Sequence, residues 1–120
     1  YMTWAREWDP GMMEPIQKEY TDLAETIGAT ILPVGPAWAR ALEQQPDIRL
    51  YHPDGTHPSN LGSYLTACVM FAVLTGKSPI GLPARLISED VHGEQLYLNI
   101  IMKEQASFLQ KVAEEVVREF

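Results

Sequence analysis

Ile16, Tyr20, Leu23, Ala24 and Ile27 recur at helical spacing through residues 12–27. Pro15 suits a first turn and Gly28 a C-terminal cap, so the stretch predicts an amphipathic helix. Residues 29–34 follow as a short, mostly apolar run rich in β-branched side chains, the pattern of a strand buried in a parallel sheet. Residues 1–4 are aromatic and β-prone and lead toward the turn-forming Asp9-Pro10-Gly11, which reads as a strand end followed by a loop. Together these pieces predict a strand, helix, strand unit.

A second helix is expected from Pro36, turning Trp38, Ala39 and Leu42 toward the core and ending before Pro46. Residues 48–51 read as a brief extended segment. Residues 52–58 hold two prolines and a glycine, which rules out a helix or a central strand and predicts an ordered loop. Ser59 can cap a following helix over 61–75 that is apolar on most sides, closes at Gly76 and should be central. The Pro- and Gly-rich residues 78–83 resemble a surface connection. Within residues 94–120, Leu109, Val112, Ala113, Val116, Val117 and Phe120 form an apolar stripe opposite Lys111, Glu114, Glu115 and Arg118, a terminal amphipathic helix whose acidic face is solvated. The chain has no internal repeat and no low-complexity tract.

Composition narrows the class. With 120 residues, 46% hydrophobic and 21% charged, the chain matches one ordinary globular domain and not a disordered segment. Its only cysteine, Cys68, lies in an apolar run and reads as a small buried hydrophobe. The net charge of −7, with no basic stripe, excludes nucleic acid as an expected partner. The longest apolar stretch, residues 64–74, is about half of the roughly 20 residues a membrane span requires. No signal-peptide pattern precedes the first helix, and the chain opens at Tyr1, which suggests a start inside a larger fold. Localisation stays open, periplasmic or secreted sites included.

The residue types able to carry chemistry converge on Asp54-Gly55-Thr56-His57-Pro58. A carboxylate three residues before an imidazole on a tight turn can reach Nδ1 and leave Nε2 free as a base. Gly55 lets the loop fold back, and Pro58 restricts His57 to extended backbone, which projects the ring away from the following helix. By spacing alone, a solvated turn at Asp54 is the simpler reading. His52, Asp54 and His57 also supply two imidazoles and a carboxylate, the ligand types of a catalytic zinc or iron site, although Pro53 and Pro58 constrain both rings.

The loop and its continuation Ser59-Asn60-Leu61-Gly62-Ser63-Tyr64 resemble the last conserved block of SGNH-type (GDSL-like) serine hydrolases, in particular a bacterial branch. Thr3-Trp4-Ala5-Arg6, Pro33-Val34-Gly35-Pro36-Ala37-Trp38 and Leu74-Thr75-Gly76-Lys77-Ser78-Pro79 match as well. The resemblance runs from Tyr1 to about Pro83, with a looser match over residues 105–117. It implies an α/β fold, a partial three-layer α/β/α sandwich with a short parallel sheet and a long C-terminal helix. Residues 1–83 would be the C-terminal part of the hydrolase domain and 84–120 its helical extension.

The implied activity is hydrolysis of small acyl esters, plausibly acetyl groups on carbohydrate, without a cofactor or metal. His57 would be the general base and Asp54 its orienting carboxylate. The family's Gly-Asp-Ser nucleophile block and oxyanion-hole residues have no match here and are expected before Tyr1. The chain alone should therefore be essentially inactive, and its expected partners are an acyl ester substrate and a missing N-terminal half or another copy of itself.

Other features are weaker. Ser59 and Ser63 have ready roles in a cap and a helix, and no Gly-x-Ser-x-Gly elbow exists. Gly76-Lys77-Ser78 is not a phosphate loop, because Phe71 stands where that motif needs glycine. Trp4, Trp8 and Trp38 fit core or rim packing, with Trp8 the best of them for a substrate contact. Arg6 can bind a polar substrate group, but a surface ion pair with Glu7 or Asp9 is the simpler role.

Overall fold

A computed structural model describes residues 3–120, so the strand end expected over residues 1–4 lies partly outside the described residues. Thr3 and Trp4 carry no strand. After a single 3-10 turn over Pro10–Met12, helix α1 spans Met13–Ile27 and stops at Gly28, whose φ of 65° places it in the left-handed region that a helix C-cap uses. This is the expected amphipathic helix, but it is thinly covered: Ala24 is its only buried residue, and Leu23 and Ile27 are exposed.

The strand expected over residues 29–34 is not formed. The Ala29 N–H turns back to the Ala24 carbonyl and the Val34 N–H to that of Leu32, so the segment is irregular chain between two helices. Helix α2 covers Val34–Gln44 and starts before Pro36, with Pro33 as its N-cap. It buries Val34, Ala37, Trp38 and Ala41. Ala39, expected inward, is exposed, because a step of about 100° per residue carries it off the face that holds Trp38 and Ala41. Leu42 is half-buried.

Helix α3, Asn60–Thr75, is central as expected, with Tyr64, Leu65, Cys68, Val69 and Ala72 buried and Gly76 as its left-handed C-cap. Burial pushes the Cys68 thiol up to about 12, so it stays a neutral packing group. Helix α4, Lys103–Glu119, packs Ala106, Leu109, Val112, Ala113 and Val116 against α2 and α3. Val117 is half-buried, and Phe120 lies beyond the helix and is exposed.

Residues 84–120 are not purely helical. Strands β1, Arg85–Glu89, and β2, Gln95–Ile100, form an antiparallel ribbon before α4 begins. Asp90 makes the turn: its Oδ1 accepts from the His92 and Glu94 N–H groups, and Gly93 takes a φ of 79°. A link this short can join only antiparallel neighbours. The sheet among the described residues is therefore a two-stranded antiparallel ribbon and not the expected parallel one, within a mixed helix-and-strand fold. No helix among the described residues is long and apolar enough to cross a membrane.

Trp38, 1% exposed, sits at the centre of the core. Trp4 stacks on it with ring centroids 4.6 Å apart and planes 9° from parallel, while Tyr51 meets it edge-on at 4.9 Å. Gly62 makes this packing possible, since a β-carbon there would run into the Leu50 carbonyl and the Trp38 ring. The first turn of α3 thus rests directly on Leu50 and Trp38. That contact fixes where the preceding loop leaves the core.

Candidate active site

The loop between Tyr51 and Asn60 closes on itself. Tyr51 and Pro58 form an isolated antiparallel bridge, the His52 N–H donates to the His57 carbonyl at 2.8 Å, and the Gly55 N–H donates to the His52 carbonyl at 2.9 Å. Ser59 then caps α3 as its sequence position predicts. Its Oγ accepts from the Leu61 and Gly62 N–H groups and donates to the Arg49 carbonyl at 2.6 Å. A hydroxyl with three partners is committed to structure. Ser63 is exposed on the outside of the helix.

Within this frame Asp54 and His57 meet. Asp54 Oδ1 accepts from the Thr56 N–H at 2.8 Å and the His57 N–H at 2.9 Å, while Oδ2 stands 2.7 Å from His57 Nδ1. The His57 N–H, then the Thr56 N–H, then the His57 ring hold the Asp54 carboxyl well below the usual carboxylate range. An ionised carboxylate can only accept, so Nδ1 carries a proton, and in the neutral imidazole the lone pair is therefore on Nε2. No described residue hydrogen-bonds Nε2, and the ring is exposed. The arrangement can take a proton from a group presented at Nε2 and stabilise the resulting imidazolium.

His52 also approaches: its Nδ1 lies 3.4 Å from the same Oδ2. Two imidazoles therefore converge on one carboxylate oxygen already bonded to His57. Among the described residues no three His, Cys, Asp or Glu side chains are arranged to hold a metal ion.

The two other candidate residues part company. The Trp8 ring lies over the α-carbon of Gly55, where a β-carbon would come within 2.7 Å of it, yet Trp8 remains 68% exposed, so it flanks the loop with a bare aromatic face. Gly55 is required twice here, by that contact and by its φ of 67°. Arg6 faces solvent. It makes a backbone bridge to Asp9 but, among the described residues, no ion pair with Glu7 or Asp9, so the expected surface pair is not formed.

Sequence reasoning missed the strap that holds the loop. The Trp4 indole N–H donates to the Thr56 carbonyl at 3.0 Å, the Glu7 backbone N–H to the Gly55 carbonyl at 3.0 Å, and the Tyr51 hydroxyl to the Ala5 carbonyl at 2.7 Å. Burial, then nearby Glu7, pushes the Tyr51 phenol above its usual range, which keeps the proton this last bond uses. Only the β-prone, aromatic character of Trp4 signalled any of this. Compared with known protein families, curated proteins and solved structures, the chain matches none of them.

Proposed function

We propose that the chain is the acid–base part of an SGNH-type serine esterase, with His57 as general base and Asp54 as its orienting carboxylate. The observation that carries the reading is the 2.7 Å contact between Asp54 Oδ2 and His57 Nδ1, with no described residue hydrogen-bonded to Nε2. It agrees with the resemblance of residues 54–64 to the last block of that family. In this scheme a serine hydroxyl attacks the acyl carbonyl, Nε2 takes its proton and returns it to the leaving alcohol, and water releases the acyl group. The substrate class is a small acyl ester, acetyl on carbohydrate included. Trp8 is the aromatic contact for the substrate and Arg6 a polar one. No cofactor is needed.

The nucleophile and oxyanion hole come from a segment outside these 120 residues, completing a three-layer α/β/α sandwich of which residues 1–83 form the C-terminal part. Ser59 is occupied as a cap, which supports this division. The test is ester release from a chromogenic acyl substrate, by the chain alone and by a polypeptide in which a Gly-Asp-Ser segment precedes it. Turnover is expected only from the second, and His57→Ala is expected to abolish it. His57-dependent turnover by the chain alone would refute the division of labour, and full activity of His57→Ala would refute the esterase.

A second reading is favoured by the bare apolar side chains of α1 and the ribbon: a non-catalytic half-domain that docks with an N-terminal part or another copy of the chain. Sedimentation distinguishes them, since this reading requires association that survives His57→Ala.

A further inference from the structure

The two N–H groups that Asp54 Oδ1 accepts belong to consecutive peptide planes. The Gly55 carbonyl and the Thr56 N–H share one plane; the Thr56 carbonyl and the His57 N–H share the next. No described peptide is cis, so within each plane the carbonyl and the N–H point in opposite directions. Both carbonyls are held from outside the loop: that of Gly55 by the Glu7 N–H and that of Thr56 by the Trp4 indole, each at 3.0 Å. Gripping a plane by its carbonyl edge aims its N–H edge at Asp54.

We propose that Trp4 is a positioning residue for the Asp54–His57 pair: its indole N–H fixes the Thr56–His57 peptide plane, and that plane presents the His57 N–H to Asp54. The catalytic meaning of this role rests on reading the pair as a hydrolase base. Trp4 has two separable jobs. Its ring supports the core by stacking on Trp38, whose own indole N–H turns elsewhere, to Thr66 Oγ1 at 3.4 Å. Its N–H does the aiming, from a part-buried position where water competes poorly for the Thr56 carbonyl. The titratable groups near Asp54 are His52 and His57 on its own loop and, from the strap, Glu7, whose carboxylate lies against Gly55. None of them is altered when the Trp4 N–H is removed.

The largest influence on the Asp54 carboxyl is the His57 N–H, the group on the plane that Trp4 holds. Trp4→Phe keeps an aromatic ring against Trp38 but removes the indole N–H together with one of the indole's two rings, so the helical spectrum is read alongside the site. Carboxyl carbon and imidazole nitrogen NMR on the full chain then reads the site without any substrate. In Trp4→Phe the Asp54 titration midpoint is expected to rise by about one pH unit and the downfield His57 Nδ1 proton to broaden or vanish, with the helical spectrum unchanged. Thr66→Val, which removes the Trp38 bond, is expected to lower Tm without moving either signal. Should Trp4→Phe fail to fold, benzothienylalanine at position 4, an indole isostere lacking the N–H, carries the same comparison.

In the complete esterase, Trp4→Phe is expected to lower kcat about tenfold with KM unchanged, since the pair acts in the transition state. Unchanged Asp54 and His57 signals in a folded variant overturn the positioning role. A wild type in which Asp54 titrates as an ordinary carboxylate and His57 Nδ1 is unpaired overturns it too, together with the base itself. If the NMR shifts occur but no completed polypeptide hydrolyses esters, the positioning stands and the esterase reading falls.

Discussion

The loop over residues 52–58 and the ribbon β1–β2 are ordered by opposite means. The loop has no regular strand, yet its turn is tied down by backbone bonds within itself, by the Asp54 carboxylate and by the strap from Trp4 to Trp8. The ribbon has a regular ladder and an Asx-type turn, yet Val91 is 94% exposed, Leu98 66% and Tyr97 58%. Asn99 is its only buried residue, held by one bond to the Asn60 carbonyl at 2.8 Å. Hydrogen-bonded regularity and structural support are therefore different properties. A ladder satisfies its own backbone but fixes little else, and an isolated two-stranded ribbon is marginal in water. The irregular loop is anchored from three sides, and that is where preorganised chemistry is worth placing.

The largest effects should fall on the loop's chemistry. In a completed esterase, His57→Ala is expected to abolish measurable turnover, and Asp54→Asn to reduce kcat by roughly 10⁴-fold with substrate binding largely retained, because the amide no longer sets the tautomer. Steady-state kinetics checks both. Asp54 also links the loop to pH. Its carboxyl is depressed in the fold, so its contribution to stability is complete above the unfolded value of about 3.9 and is lost as pH falls through the lower folded value. The Tm advantage of wild type over Asp54→Asn should accordingly not decline until pH drops below about 4. A decline that begins near neutrality would mean that the loop does not hold the carboxylate.

Next come the glycines on which the loop is seated. Gly62→Ala drives a methyl into the Leu50 carbonyl and the Trp38 ring, and backbone cannot step aside. The cost is expected to be about 3 kcal/mol, on the order of 10 °C in Tm. Gly55→Ala forces an L residue into the left-handed region and displaces the exposed Trp8 ring. About 1–2 kcal/mol is expected, since Trp8 can swing into solvent. If Gly55→Ala were neutral, the strap would not be gripping the loop.

Helices were legible where their periodicity and punctuation agreed. Gly28, Ser59 and Gly76 mark ends that the structure uses. Residues 29–34 read as a strand because β-branched composition speaks to burial, whereas forming a sheet needs a neighbour that composition cannot supply. The ribbon is hidden in the sequence because a helical stripe reckoned from residue 94 runs over β2, and only the Asp90 to Glu94 turn before it marks a hairpin. In the site, the Asp54 and His57 spacing was legible because the bond is local. The strap was not: Trp4 and Thr56 are 52 positions apart, and only the fold brings an indole to that carbonyl.

The smallest effects should come from the ribbon's apolar tips, and they decide whether the contrast holds in solution. Leu98 is the extra residue where the register shifts, since Leu86 pairs with Asn99 and Ile87 with Tyr97. It therefore has no cross-strand partner to lose, and Val91 at the turn has almost no covered surface. Leu98→Thr and Val91→Thr remove little buried area, and each leaves a β-branched residue at its position. Each is expected to change stability by less than about 0.5 kcal/mol, read as Tm in a dilute sample. A loss from Leu98→Thr as large as that from Gly55→Ala would break the comparison, because a side chain this exposed can stabilise only if something covers it. Tm that then rises with protein concentration would identify the cover as a second copy of the chain, and Tm independent of concentration would place it within the same molecule.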